Sequence, residues 1–253
     1  MLPEKTVDKK VLDWLLEKDD PGVRYLALRD ICRDPSAAAR ETRRAHAEGP
    51  IAAILAKMKP EGYWSKPGPG YNPKYFSAAW SLIQLAELGG SISADRRIES
   101  ACRYFLDRAV MEGGQITATG TPSGTADCLQ GNLCWALASL GAADGRLQAA
   151  YEWMARSVTG EGIAPVGEKK AAVRYFAGKC GPDFACGSNN KLPCAWGAVK
   201  VLRALTVRPE KNRPPAAERA IARGVKFLFS ADPATAAYPC GYAAKPSQSW
   251  FKF

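Results

Sequence analysis

Trp80-Ser81-Leu82-Ile83-Gln84-Leu85-Ala86-Glu87-Leu88-Gly89-Gly90 is the stretch that decides the fold. It is apolar on nearly every side of a helix, carries no lysine or arginine, and ends on a glycine pair. A helix of that kind is buried on most sides, and glycine after each apolar helix is the expected stop. The pattern returns in Leu133-Cys134-Trp135-Ala136-Leu137-Ala138-Ser139-Leu140-Gly141. Each apolar helix is followed by a charged one with a single apolar stripe. The stripes are Ile98, Cys102 and Phe105 in the first case, and Leu147, Tyr151 and Met154 in the second.

Working outward, the pattern is a repeat. A shift of 49 residues lays Ala94, Asp95, Arg97 and Ala101 on Ala143, Asp144, Arg146 and Ala150, which matches helix start and register together. The reading places apolar helices over 75–88, 128–140 and 193–205, and charged partners over 94–109, 143–158 and 215–229. Asp95 and Asp144 are expected as N-caps. Upstream, Val11, Leu12, Leu15 and Leu16 recur at helical spacing, as do Val23, Leu26, Ala27 and Ile31 behind Pro21. Further helices are expected over 37–46 and 51–57, and no alternating β-branched run stands between hairpin turns. Repeats of roughly 50 residues, each with one buried and one exposed helix, stack into a solenoid or close into a ring. The expected fold is therefore all-α, an α/α toroid of helical hairpins. Residues 1–59 are expected as N-terminal helices packing on it, and 60–253 as the repeats. The aromatic end, Trp250-Phe251-Lys252-Phe253, has no closing helix pair after it, so the ring is expected to be incomplete there.

The chain has 253 residues, 47% of them apolar, enough for a well-buried core and too many for a disordered chain. No run approaches the ~18 apolar residues that a membrane-spanning helix needs. The start, Met1-Leu2-Pro3-Glu4-Lys5, leads into a charged segment without an apolar block, so a cytoplasmic location is expected. Charge is distributed unevenly. Residues 1–163 carry 20 basic and 20 acidic side chains, residues 164–253 carry 15 and 5, and the whole excess of +10 lies in the last third. Three readings stay open: solvated faces with a partner-supplied acidic surface, a small anion such as a diphosphate, or a nucleic-acid backbone. No nucleic-acid-binding module accompanies the charge, which ranks nucleic acid last.

Eight cysteines are too few for a disulfide framework of the small secreted kind. Clustered thiols in a reducing compartment point first to metal or catalysis. Cys180, Cys186 and Cys194 fall within 15 residues of a Gly/Pro/Asn-rich loop leading into an apolar helix. Aligning the apolar helices puts Cys128 near the position of Cys194. These four could form a tetrathiolate site for zinc, or for an iron–sulfur cluster. The alternatives are cysteines packed at a rim and a redox disulfide such as Cys180–Cys186. Cys240 is a reserve ligand, while Cys32, Cys102 and Cys134 read as core.

Trp64, Tyr71, Tyr75, Trp80, Trp135 and Trp196 sit at or near the starts of the apolar helices. Singly they read as packing; as a set they could line an apolar cavity. Asp127, beside Cys128, reads first as an N-cap, with general acid or ligand-orienting group as alternatives. His46, among Arg43, Arg44 and Glu48, reads as solvent-facing.

The Glu61-Gly62-Tyr63-Trp64 element resembles the Gly-x-Trp part of the repeat motif of squalene/hopene cyclases and protein prenyltransferase β subunits. The helix starts at Tyr75-Phe76-Ser77-Ala78-Ala79-Trp80 and Cys128-Leu129-Gln130-Gly131-Asn132 are similar too. The resemblance covers residues 60–253; Trp14 through Tyr25 resembles the leading helices of prokaryotic members. It implies an α/α toroid with a central apolar cavity. The ligand it implies is an isoprenoid or lipid-like molecule, with Trp64, Tyr75, Trp80, Asp127, Trp135 and Trp196 at the site and the basic last third receiving an anionic head group. The Asp-x-Asp-Asp acid of the cyclases and the Asp-rich diphosphate-ionising motif are absent. The prenyltransferase Asp-x-Cys pair with a distant histidine is replaced by adjacent Asp127-Cys128 and a single histidine, His46. The expectation is an enzyme or ligand-binding protein. The alternatives are a non-catalytic zinc-stabilised repeat domain that binds a protein partner and, third, an iron–sulfur redox protein.

Overall fold

The computed structural model describes residues 7–176 and 178–239. Cys240 and the aromatic end at 250–253 lie outside them. The described chain is all-α; its only extended pairings are isolated bridges in loops. Among the described residues no helix is long and apolar enough to cross a membrane.

Four helices lead: α1 (Lys9–Leu15), α2 (Pro21–Leu26), α3 (Pro35–Ala47) and α4 (Gly49–Ala56). A π-helical turn, Ala27–Ile31, continues α2 and leaves Cys32 exposed at its end rather than in the core. Three hairpins follow: α5 (Ala78–Glu87) with α6 (Arg96–Ala109), α7 (Asp127–Leu140) with α8 (Gly145–Thr159), and α9 (Ala195–Val207) with α10 (Ala217–Leu228). The apolar helices form one row, with α7 packed between α5 and α9, and α8 and α10 pack on α7 and α9 from behind. Leu133, Cys134, Ala136, Leu137 and Leu140 have no exposed surface, as an all-round apolar helix requires. The α7–α9 contact is close because residue 131 is glycine. A Cβ there would stand 2.5 Å from the Lys200 carbonyl carbon.

The repeat holds at atomic level. Asp95 accepts the Arg97 amide at 2.9 Å and Asp144 the Arg146 amide at 2.8 Å, and each arginine side chain folds back onto the same carboxylate. Gly62 and Gly114 occupy matching turns. The amide of each donates to the carbonyl three residues back, at 2.9 Å in both. Both have left-handed φ, +96° and +87°, and a Cβ would collide with the Ser100 or the Ala149 carbonyl oxygen of the charged helices. Trp64 and Ile116, two residues on, are both buried.

Three further expectations change. Glycine does not follow α9, which ends at Val207 ahead of Pro209. Helix α8 is buried on more than one stripe: Trp153, opposite the main core, packs with Ile163, Tyr175 and Cys180 of the following loop. His46 is buried, not solvent-facing. Its Nδ1 bonds the Thr42 carbonyl at 2.7 Å and its Nε2 accepts the Ser91 amide at 3.0 Å, which ties α3 to the α5–α6 turn.

Candidate thiol and tryptophan site

The site is built at the starts of α7 and α9 by the loop that precedes α9. Phe184 is its anchor, fully buried and stacked on Phe227 of α10 at 6.2 Å. From there a short antiparallel ladder forms. Ala185 bridges Pro193, the Cys186 amide donates to the Leu192 carbonyl at 3.1 Å, and the Cys194 amide donates to the Phe184 carbonyl at 2.9 Å. Extended residues alternate sides, so Cys186 and Cys194, at diagonal positions, share one side of the ladder. Cys194 is also the N-cap residue of α9. The neighbouring Cys194 thiol first, then the Ser188 and Asn189 amides, lower the Cys186 thiol. The Cys186 thiol and burial push Cys194 up.

The Asp127 amide donates to the Lys179 carbonyl at 3.3 Å, which holds the loop against α7. Asp127 is not the expected N-cap; Ala126 is, and Asp127 is the first helical residue, turned inward and buried. One carboxyl oxygen accepts the Ser157 hydroxyl at 3.2 Å, and the other has no hydrogen-bond partner. Burial raises this carboxyl to about 8, against the pull of Ser157. The Tyr175 hydroxyl donates to the Ser157 carbonyl at 2.6 Å, completing a buried polar chain under the loop.

Cys128 and Cys180 lie in the same neighbourhood. Both thiols are raised, first by burial and then by the charges of Asp127 and Cys186. Among the described residues, no group of three or more His, Cys, Asp or Glu is arranged to hold a metal ion.

A tryptophan face runs on from the thiols. At helical spacing, Cys128 and Asn132 of α7 and Trp196 and Lys200 of α9 are half-buried, Arg203 is exposed, and Trp135, one turn beyond Asn132, is buried. The Lys200 ammonium lies 3.8 Å from the centre of the Trp196 ring and the Arg203 guanidinium 3.4 Å from that of Trp135. Arg203 also reaches Glu87 of α5 at 2.6 Å, so α5 borders the same face. Burial lowers the Lys200 amine to about 8, opposed by the Cys128 and Cys194 thiols.

Trp80 is half-buried on α5, its indole N–H donated to the Tyr71 carbonyl at 2.9 Å and its ring against Tyr75 at 4.9 Å. Tyr75 is exposed. Trp64 stands apart: it is buried and donates its indole N–H to the Ile54 carbonyl at 2.8 Å, so it packs between α4 and the repeats and presents no face to a ligand. Two open surface clefts, one between α8 and the start of α10 and one along 167–171, touch none of these tryptophans. Lys200, Arg203, Ser157 and Tyr175 were not singled out by sequence. The first two had a visible signal, since α5 and α7 contain no lysine or arginine and α9 contains both.

Comparison with known proteins finds no matching family profile, curated protein or solved structure.

Proposed function

We propose that the chain binds an isoprenoid or similarly apolar molecule with an anionic head group, on the face of α5, α7 and α9, which would be the inner wall of an open α/α toroid. The reading is supported by the repeat motif's resemblance to the prenyltransferase and squalene cyclase group, and by the basic last third of the chain. Lys200 is the observation that carries it. It is a half-buried cation seated on Trp196, and the charges that act on it are thiols, with no carboxylate among them. A cation brought out of water without a counter-charge is a receptor for an anion. The half-buried rings of Trp80 and Trp196 offer the apolar part of the ligand flat surface to lie on. A helical-repeat module for a protein partner is the second reading. It is favoured by α1, which buries no residue and exposes Trp14 to 65%.

Tryptophan fluorescence titrated with farnesyl diphosphate and with farnesol tests the first reading. Both should quench saturably, the diphosphate binding at least about tenfold more tightly, a difference that Lys200→Ala removes. Because the Lys200 amine sits at about 8, the preference for the diphosphate should fade as pH rises through that value. No quench with either compound would leave the partner-binding module as the better account. An unaltered preference in Lys200→Ala would take the head group away from this lysine.

A further inference from the structure

We propose that α1 of one copy of the chain docks on the open edge of the last hairpin of a second copy, with Trp14 seated against Val199, Val225 and Phe229. This goes beyond the ligand-binding reading, in which none of these four residues has a part. Helix α1 has seven residues, and a helix that short is marginal in water unless an apolar stripe of it packs on something. The stripe exists, since Val7, Val11 and Trp14 follow at i, i+4 and i+7. Among the described residues it is left open. Helix α1 buries no residue, and the three side chains are 39%, 46% and 65% exposed.

The last hairpin is open in the same way. Helix α7 lies between α5 and α9, whereas among the described residues α9 has an apolar helix of the row on one side only. Val201 and Lys200 turn their backbone to α7 at Gly131. Val199 and Leu202, one turn apart, lie off that side; Val199 is exposed, and Leu202 reaches Gly224 of α10, where a Cβ would stand 2.9 Å from it. Next to Gly224, Val225 and Phe229 follow at i and i+4, 43% and 74% exposed. The other flank of α10 is taken, because Arg223 bonds Asp183 at 3.1 Å. The two exposed rows therefore adjoin, and a repeat stack that ends on an apolar side needs a cap. Charge selects the cap. Residues 7–20 carry five acidic and three basic side chains, residues 195–230 two acidic and eight basic. Asp13 is exposed beside Trp14, and Lys226 beside Val225. Unlike charges favour α1 on this edge, and like charges disfavour two such edges meeting each other.

The experiment is light scattering on the full chain after size-exclusion chromatography, over a range of protein concentrations. The mass should rise with concentration above that of one chain. Trp14→Lys sets a cation against the basic edge, and Phe229→Glu sets a carboxylate against the acidic helix. Each should weaken association at least about tenfold. An equimolar mixture of the two should recover pairs, because the first variant keeps its edge intact and the second keeps its α1. Both positions are exposed, so the fold should hold, as circular dichroism would verify. Where it does not, Val11→Lys and Val225→Glu take their places. A chain that stays single at every concentration overturns the proposal; residues 240–253 of the same chain, or another protein, would then be the cover. Association that both variants retain, or a mixture that fails to pair, overturns it as well.

Discussion

Two cation–tryptophan pairs lie one turn apart on α9, and they are not alike. Arg203 covers Trp135 and closes on Glu87 with two contacts, at 2.6 and 3.1 Å. That two-pronged pair joins α9 to α5 across α7, and every charge in it is answered. Lys200 covers Trp196 and faces thiols, and burial lowers its amine. One pair is a clasp; the other is a half-buried cation whose charged neighbours are thiols. Basic residues abound in the last third of the chain, but function is better sought where burial leaves a charge unanswered than where charges are most numerous.

The contrast breaks most severely at the floor that both pairs share. Gly131→Val would drive a side chain into the α9 backbone at Lys200, 2.5 Å from its carbonyl carbon. It should cost about 3 kcal/mol in urea denaturation and loosen both pairs together. An unchanged midpoint would mean that α7 and α9 do not pack this closely. Next in size is Asp127, the unanswered carboxyl, as Glu87 is the answered one. Its native value of about 8 lies far above that of an unfolded aspartate, near ~3.9. The stability that its neutral form allows is therefore complete below ~4 and is lost progressively as pH rises to about 8. Asp127→Asn, which cannot ionise, should gain about 2 kcal/mol over the unsubstituted chain at alkaline pH, and the gap should close in acid. Thermal melts across the pH range check this, and a gap that ignores pH would remove burial as the cause. The smallest effect belongs to Glu87→Gln. The pair is half-exposed, so stability should change by less than ~1 kcal/mol. The freed Arg203 should strengthen farnesyl diphosphate binding about threefold by fluorescence titration. If binding instead weakens, the clasp itself organises the face.

The helical class and the hairpin order were legible because α5 and α7 announce their burial in composition alone, and because Asp95 and Asp144 cap by local chemistry that a 49-residue shift exposes. What failed was decided at long range. His46 has charged sequence neighbours, yet its partner is Ser91, 45 residues away. Asp127 marks a helix start correctly, but one residue of register separates a cap from an inward-facing carboxyl. Trp153 belongs to a charged helix and is buried only because the loop after α8 folds over it. For the site, aligning the apolar helices marked Cys128 and Cys194 as helix-start residues, which they are. That Cys186 shares one side of a short ladder with Cys194 depends on two hydrogen bonds that composition does not encode.

Trp153, Ile163, Tyr175 and Cys180 form a buried cluster of their own, separate from the main core. Loops that rest on a small private nucleus tend to open as a unit well before global unfolding. The loop residues that cover Trp153 would then melt as one local body, carrying Cys180 into solvent while the bundle, with Phe184 seated on α10, stays folded. A folded molecule at rest would thus visit, at modest cost, a form in which that sulfur is fully presented, and amide exchange would be faster around Ile163 and Tyr175 than in α7 and α9.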